Sequence, residues 1–379
     1  MAIAALLIAT AIPLLFLYLI HTLDLYGTGS PRSVILSFSW GAISVFLAFG
    51  VYHLVQDRLG LFDEALRLVY FAPFLEETLK ALVLLHLVRR PTFTYFVDGA
   101  IYGFAVGIGF AVFENYLYMA QFLGGQNLDV GIGPALGRVL STNLMHASAG
   151  AIVGIALGLS RFRRFSGRAF FLLSGLLLAV LLHAAFNSLV SNAGGRWLFL
   201  FAIGIGLSAV SFIALAIRRG LAVEKAWITE TLGSVDRVTP AEAAAVNRLD
   251  RVNSVLEPLA IIFGHQKATK IEELLLLQAQ LGILRKTLHR AQNSAHTHRA
   301  LVKKIKAKQA EMEAARRSVG AYTMASLRML FAEEGSPMWQ QLEARLRQRA
   351  AAQHDADVNL FSLIESRSRG SHQKSLPDD

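Results

Sequence analysis

Over roughly the first 218 residues, apolar positions come in long runs separated by short polar loops. A helix needs about 20 mostly apolar residues to cross a hydrocarbon core about 30 Å thick. Seven segments reach that length: 2–20, 33–55, 66–88, 95–123, 134–159, 169–190 and 197–217. The first lacks a basic leader and a small-residue cleavage site, so it is expected to be a retained span, not a signal peptide. From residue 219 to 379 the pattern turns charged and rich in Ala and Gln. Leu274, Leu277, Leu281, Leu284 and Leu288 are spaced three and four apart, the a/d seam of a coiled coil. The stripe continues through Val302, Ile305 and Met312, and neither Pro nor Gly interrupts residues 285–319. The predicted architecture is therefore all-α: a polytopic membrane helix bundle at 1–218 and a soluble basic helical tail at 219–379. The tail is expected to hold a coiled coil or helical hairpin over 270–318, through which copies could associate as a homo-oligomer, and a disordered Ser-, Arg- and Asp-rich end.

Composition agrees with a membrane body. Hydrophobic residues make up 54% of the chain and charged residues 17%, against about 25% charged in soluble domains. The net charge of +10 sits mostly in the tail and in a few loops. Arg89 and Arg90, then Arg161, Arg163, Arg164 and Arg168, then Arg218 and Arg219 all fall on one side if seven spans alternate. The loop over 124–133 has neither Lys nor Arg and falls on the other. Basic loops mark the cytoplasmic side, so the tail is expected in the cytoplasm and the N-terminus outside. Arg32, Arg58 and Arg67 do not discriminate. The basic tail suits anionic lipid headgroups; with no base-reading motif, nucleic acid is not an expected partner. The absence of cysteine excludes a thiol nucleophile, a Cys-ligated zinc site and disulfides.

Small residues recur every fourth position at Gly99, Gly103 and Gly107, and again at Gly150, Gly154 and Gly158. Such stripes let helix backbones approach closely in lipid. The chemistry lies in the ionisable residues, because a charge at the bilayer centre costs about 2.5–3.5 kcal/mol on insertion scales. Span three carries Glu76, Glu77 and Lys80, at helical spacings that let both carboxylates reach one ammonium. The excess negative charge leaves a carboxylate able to take a proton from water. Span four carries Glu114 beside Asn115. Span five carries Asn143 and His146, and span six His183 and Asn187, each pair within a turn. Asn at that spacing can fix the tautomer of an imidazole. Acids and imidazoles from four spans can activate water and stabilise an oxyanion, or bind a divalent metal through His and Glu.

Several hydrolytic routes are missing. The chain has no HExxH helix, no Gly-x-Ser-x-Gly elbow and no GxGD motif near Asp98. Three readings stay open on the residues alone. One is a peptidase acting in or near the membrane. Another is a transporter or proton-coupled channel using the same groups as a relay, although no inverted repeat is evident. The last is a non-catalytic scaffold that recruits partners through its tail.

The order of motifs resembles the PrsW-type proteases, within the wider group that includes the CAAX prenyl endopeptidases. Glu76-Glu77-Thr78-Leu79-Lys80 is similar to that group's first motif. Phe110 with Glu114 and Asn115 is similar to the second, His146 with Arg138 upstream to the third, and His183 with Asn187 to the fourth. The match covers about 71–191; the first two spans and the tail lie outside it. The resemblance implies peptide-bond hydrolysis of a membrane protein or peptide substrate, by a glutamate-activated water or a bound divalent metal such as zinc. It implies Glu76, Glu77, Glu114, His146 and His183 as catalytic, with Lys80, Asn115 and Asn187 supporting them, and a metal held through Glu77, Glu114, His146 and His183. It also implies a bacterial inner membrane and, as an example of a substrate, an anti-sigma factor in regulated proteolysis. Glu114 stands where the CAAX enzymes usually have His, which argues against a prenylated substrate.

Overall fold

A computed structural model of the chain describes residues 2–55, 60, 63–124, 137–192, 195–232, 238–249, 252–291 and 295–330. All regular structure among these residues is helical. The expected disordered end and the loop over 125–133 lie outside the described residues. The chain divides into two compact units, 1–232 with 273–313, and 233–272 with 314–379.

Within the first unit, residues 1–232 form the membrane body. Its helices are α1 (Ala2–Thr22), α2 (Pro31–His53), α3 (Ala72–Leu87), α4 (Phe96–Gly124), α5 (Leu144–Ser160), α6 (Phe165–Asn192) and α7 (Gly195–Thr231). Among the described residues, five stretches are long and apolar enough to cross a membrane: Pro31–His53, Phe96–Tyr118, Val139–Ser160, Phe165–Ser191 and Ile203–Thr231. In α1 the apolar stretch is the shorter Leu6–Thr22, and α3 carries the charged cluster. The chain is therefore an integral membrane protein.

The helices differ in which surface they bury. The apolar window of α4 is 94% buried and that of α5 78%, against 22% for α6 and for α7. Helix α4 is thus the centre, and α2, α6 and α7 turn side chains such as Phe46, Leu177 and Phe212 outward. Lipid tails are as apolar as those side chains, so close van der Waals packing holds the helices together instead of apolar burial. The glycine stripes supply it. Gly99 faces Gly154 and Gly103 faces Gly150, each so closely that a Cβ would sit 2.1 Å from the opposite carbonyl oxygen. Gly107 likewise abuts the backbone of His146.

Polar contacts join the loops at one end. Arg161 Nη1 donates to the carbonyls of Val88 and Arg90, at 3.1 and 3.2 Å. Thr28 Oγ1 donates to Asp98, which also accepts from the backbone and side chain of Thr94. The loops after α1, α3 and α5 therefore meet at the same end of the bundle, the end that bears the arginine-rich loops.

The expected boundary at 218 falls inside α7, which continues to Thr231. Past it come α8 (Pro240–Val246), α9 (Val252–Phe263), α10 (His265–Arg290), α11 (Ala295–Val319) and α12 (Ala321–Leu330). The leucine stripe on α10 is buried within the chain: Leu274 and Leu281 are 0% exposed. The same helix sits on α7, with Gly282 against Ile228 and Thr231, and Arg290 over the Trp227 ring. Buried inside one chain, the stripe is not a free seam between copies. In the second unit, Thr239 and Glu242 form a capping box at the start of α8. Buried Glu242 also accepts from Arg316 and Arg328.

Candidate active site

Four helices bring the expected residues together. From α3 come Glu76, Glu77 and Lys80; from α4, Glu114 and Asn115; from α5, His146; from α6, His183. Glu77, Lys80, His146 and His183 are at most 3% exposed, while the Glu114 side chain is 30% exposed. The cluster thus has a closed floor and one side open beside Glu114.

Glu77 is the hub. Its Oε1 accepts from Lys80 Nζ at 2.6 Å and from His183 Nδ1 at 2.8 Å. A neutral His183 bonded in this way presents its lone pair at Nε2, 3.8 Å from Glu76 Oε2. Lys80 also reaches His146 Nδ1 at 3.0 Å. An ammonium has only donors, so His146 accepts at Nδ1 and donates from Nε2 to Glu114 Oε2, at 3.2 Å. The Lys80 ammonium further lies 4.6 Å from the centre of the Phe110 ring. The two imidazoles pack edge to face, 4.7 Å between centres.

Outer partners orient these groups. Tyr52, near the end of α2, donates to Glu76 Oε1 at 2.5 Å. Arg138 donates to Asn115 at 2.9 Å and to Glu114 at 3.3 Å. Asn115 passes a hydrogen bond on to Asn143, at 2.9 Å. Asn187 donates its hydrogen bond to the Leu68 carbonyl, at 2.9 Å, instead of to a histidine. Leu68 and Asn143 belong to single π-helical turns, Arg67–Phe71 and Val139–Asn143, that lead into α3 and α5. A π turn breaks the regular i to i−4 ladder and is frequent at functional sites. Here side-chain amides bond at both turns. Tyr52 has no signature in the sequence: an aromatic hydroxyl near a span end reads as an interfacial anchor.

Glu76 Oε2 and Glu77 Oε2 are buried and accept no hydrogen bond. Unsatisfied buried oxygens are expensive and mark a place for water or a cation. Ligand atoms of Glu76, His146 and His183 lie within 4.8 Å of one another, and two imidazoles with a carboxylate are a donor set that suits zinc. The trio departs from the expected set of Glu77, Glu114, His146 and His183. Both nitrogens of His146 are engaged, by Lys80 and Glu114, so His146 would have to release a partner to join the trio, whereas Glu76 Oε2 and Glu77 Oε2 are both free. Glu76 Oε2 and His183 Nε2 are the unengaged pair, and His183 Nδ1 already rests on Glu77, as metal-ligating histidines rest on carboxylates.

The site lies far from the arginine loops. At 1.5 Å per residue, the helix from His146 to Ser160 spans roughly 21 Å.

Acids and imidazoles drawn from four apolar helices suit a membrane-embedded hydrolase. The chain belongs to the PrsW family: residues 29–217 match the model described as PrsW family intramembrane metalloprotease. Protease PrsW of Bacillus subtilis (strain 168) is 31% identical over 181 residues, covering 46% of this chain and 77% of that protein. Protease PrsW of Shouchella clausii (strain KSM-K16) is 27% identical over 186 residues, covering 48% and 80%. Protease PrsW of Halalkalibacterium halodurans is 29% identical over 194 residues, covering 51% and 85%. No solved structure matches the chain. The protein is an intramembrane endopeptidase.

Proposed function

We propose that the protein cuts a membrane protein at a peptide bond near the face opposite the arginine loops, with Glu76 as the general base. The observation that carries this is the orphaned Glu76 Oε2, 3.8 Å from His183 Nε2. Tyr52 donates to the other oxygen of Glu76 and so leaves Oε2 to receive the proton of an attacking water. Glu77, neutralised by Lys80, holds His183 in the tautomer that offers Nε2 to that water. His146 and Arg138 are donors beside half-buried Glu114, where the oxyanion of the tetrahedral intermediate would form. In a metal-dependent route Glu76, His146 and His183 would act as ligands instead, holding a divalent metal that supplies Lewis acidity and a more acidic water when bound. Glu114 is the most exposed member of the cluster and marks the side from which the peptide enters.

The open side lies roughly 20 Å from the arginine loops, which favours cleavage outside the hydrocarbon centre. With those loops in the cytoplasm of a bacterial inner membrane, seven alternating helices put the site toward the outer face and the tail inside. A single-span protein with an exposed segment there, such as an anti-sigma factor, fits as substrate.

The test compares new protein N-termini in membranes carrying the wild type or Glu76→Gln/Glu77→Gln at matched expression. Termini beside transmembrane segments on the outer side should vanish in the variant. A variant with the wild-type set of termini overturns the assignment.

A further inference from the structure

A cavity of about 670 Å³ opens at the arginine-loop end of the bundle, its lining on α3 and α5 beginning roughly 12–17 Å along the helices from Glu77 and His146. Its walls are apolar, formed by Leu85 near the end of α3, Leu157 near the end of α5, and Phe165 and Leu172 at the start of α6. Its polar lining is dominated by Arg89, Arg161, Arg168 and Arg290. Among the described residues no carboxylate lines it, and none of these four guanidinium groups makes an ion pair.

The arginines are instead held by carbonyls and rings. Arg161 donates to Val88 and Arg90. Arg168 donates to the carbonyls of Arg163 and Arg161, at 2.9 and 3.4 Å. Arg290 lies 4.4 Å from the Trp227 ring. Arg89 is exposed at the rim. Carbonyls and rings orient a guanidinium without cancelling its charge. Burial, and next the neighbouring Arg168, bring the Arg161 group down to about 10 from its ordinary 12.5, against the pull of Asp98. Such a cluster gains from a bound anion, and planar guanidinium groups match phosphate oxygens in pairs.

The apolar walls decide which anion. A free phosphate would use the arginines and leave the Leu85, Leu157 and Leu172 wall without a partner. A phospholipid uses both, and the cavity sits where helix ends meet the headgroup layer. Basic pockets between transmembrane helices on the cytoplasmic side are suited to anionic headgroups. We infer that this cavity binds an anionic phospholipid, its phosphate on Arg89, Arg161, Arg168 and Arg290 and an acyl chain along α3, α5 and α6. Leu85 and Val88 belong to the end of the helix that carries Glu76 and Glu77, so the bound lipid braces that helix.

The test is native mass spectrometry of the full chain released from nanodiscs of phosphatidylcholine with phosphatidylglycerol, alongside titration with phosphatidylglycerol in detergent. The wild type should retain one phosphatidylglycerol in preference to phosphatidylcholine. Arg89→Gln/Arg290→Gln, which leaves the carbonyl-bound Arg161 and Arg168 in place, should raise Kd about thirtyfold, from roughly 1 kcal/mol per arginine near an anionic headgroup. Leu172→Trp should also expel the lipid by filling the apolar wall with every charge kept. Unchanged retention in both variants overturns the proposal, as does equal retention of phosphatidylcholine. Displacement by glycerol phosphate at concentrations equal to the lipid's would assign a free-anion site and overturn it too.

Discussion

His183 Nδ1 lies 2.8 Å from Glu77 Oε1, across 106 positions of sequence. The same oxygen takes Lys80 at 2.6 Å, so Glu77 joins α3 to α6 and neutralises a buried ammonium. Glu76, one position earlier, keeps a free oxygen. Adjacent carboxylates thus have separable roles. Glu77→Gln should destabilise the protein by about 3–5 kcal/mol, because it strands Lys80 as an unpaired buried charge. Adding Lys80→Met to that variant should recover most of the stability and none of the cleavage. Glu76→Gln should leave thermal unfolding in detergent close to wild type and lower cleavage by about 10²–10⁴-fold. Equal destabilisation by the two single variants would contradict this division.

Tyr52→Phe tests the partner that directs Glu76. The lost bond runs to a carboxylate, and hydrogen bonds to charged groups contribute about 1.5–3 kcal/mol. Cleavage of a defined substrate should fall by about tenfold or more in kcat with little change in KM, since Tyr52 acts through Glu76, whose Oε1 it holds. A change confined to KM would place Tyr52 against the substrate instead.

The ionisable part of the site was legible in the sequence because the membrane makes it so. Glu, Lys and His inside apolar runs are costly, so Glu76, Lys80, Glu114, His146 and His183 stand out without any structure. Their partners were not legible. Tyr52 sits on a different helix from Glu76, and nothing local ties the two. Asn187 was expected to steady His183 from one turn away, yet it bonds to Leu68, because the π turn at Arg67–Phe71 presents that carbonyl. The leucine stripe on α10 has the spacing of an intermolecular seam, but periodicity specifies only that a face is buried. Here α10 rests on α7 of its own chain, a pairing that no local pattern encodes.

Metal content separates the two hydrolytic routes. If Glu76, His146 and His183 hold a divalent ion, the purified protein should carry about one zinc per chain by elemental analysis, the number one such donor set accommodates. His183→Ala should lose it, because His183 Nε2 is the unengaged nitrogen. Arg138→Gln should keep it, because Arg138 touches Glu114 and Asn115 and none of the three ligands. Metal retained in His183→Ala would move the ion elsewhere and leave the glutamate-activated water as the mechanism.

Gly107 tests whether helix contact alone positions the chemistry. It lies in α4, carries no functional group, and faces the backbone of His146 in α5. A Cβ there would sit 2.2 Å from the His146 carbonyl oxygen and 2.5 Å from Ala147 Cα. Backbone atoms on both sides cannot swing away as a flexible side chain would, so Gly107→Ala must push α5 outward. His146 holds two bonds, 3.0 Å to Lys80 and 3.2 Å to Glu114, the second at the long end of the usual range. An outward shift of even half an ångström would weaken both. Misplacement of about 1 Å can cost on the order of 100-fold in rate. Gly107→Ala should therefore insert in the membrane at wild-type levels and cleave at about one hundredth of the wild-type rate. Gly50 provides the control, since a Cβ there meets nothing within 4 Å, and Gly50→Ala should cleave normally. Normal cleavage by Gly107→Ala would mean that His146 tolerates displacement and does not act at a fixed position.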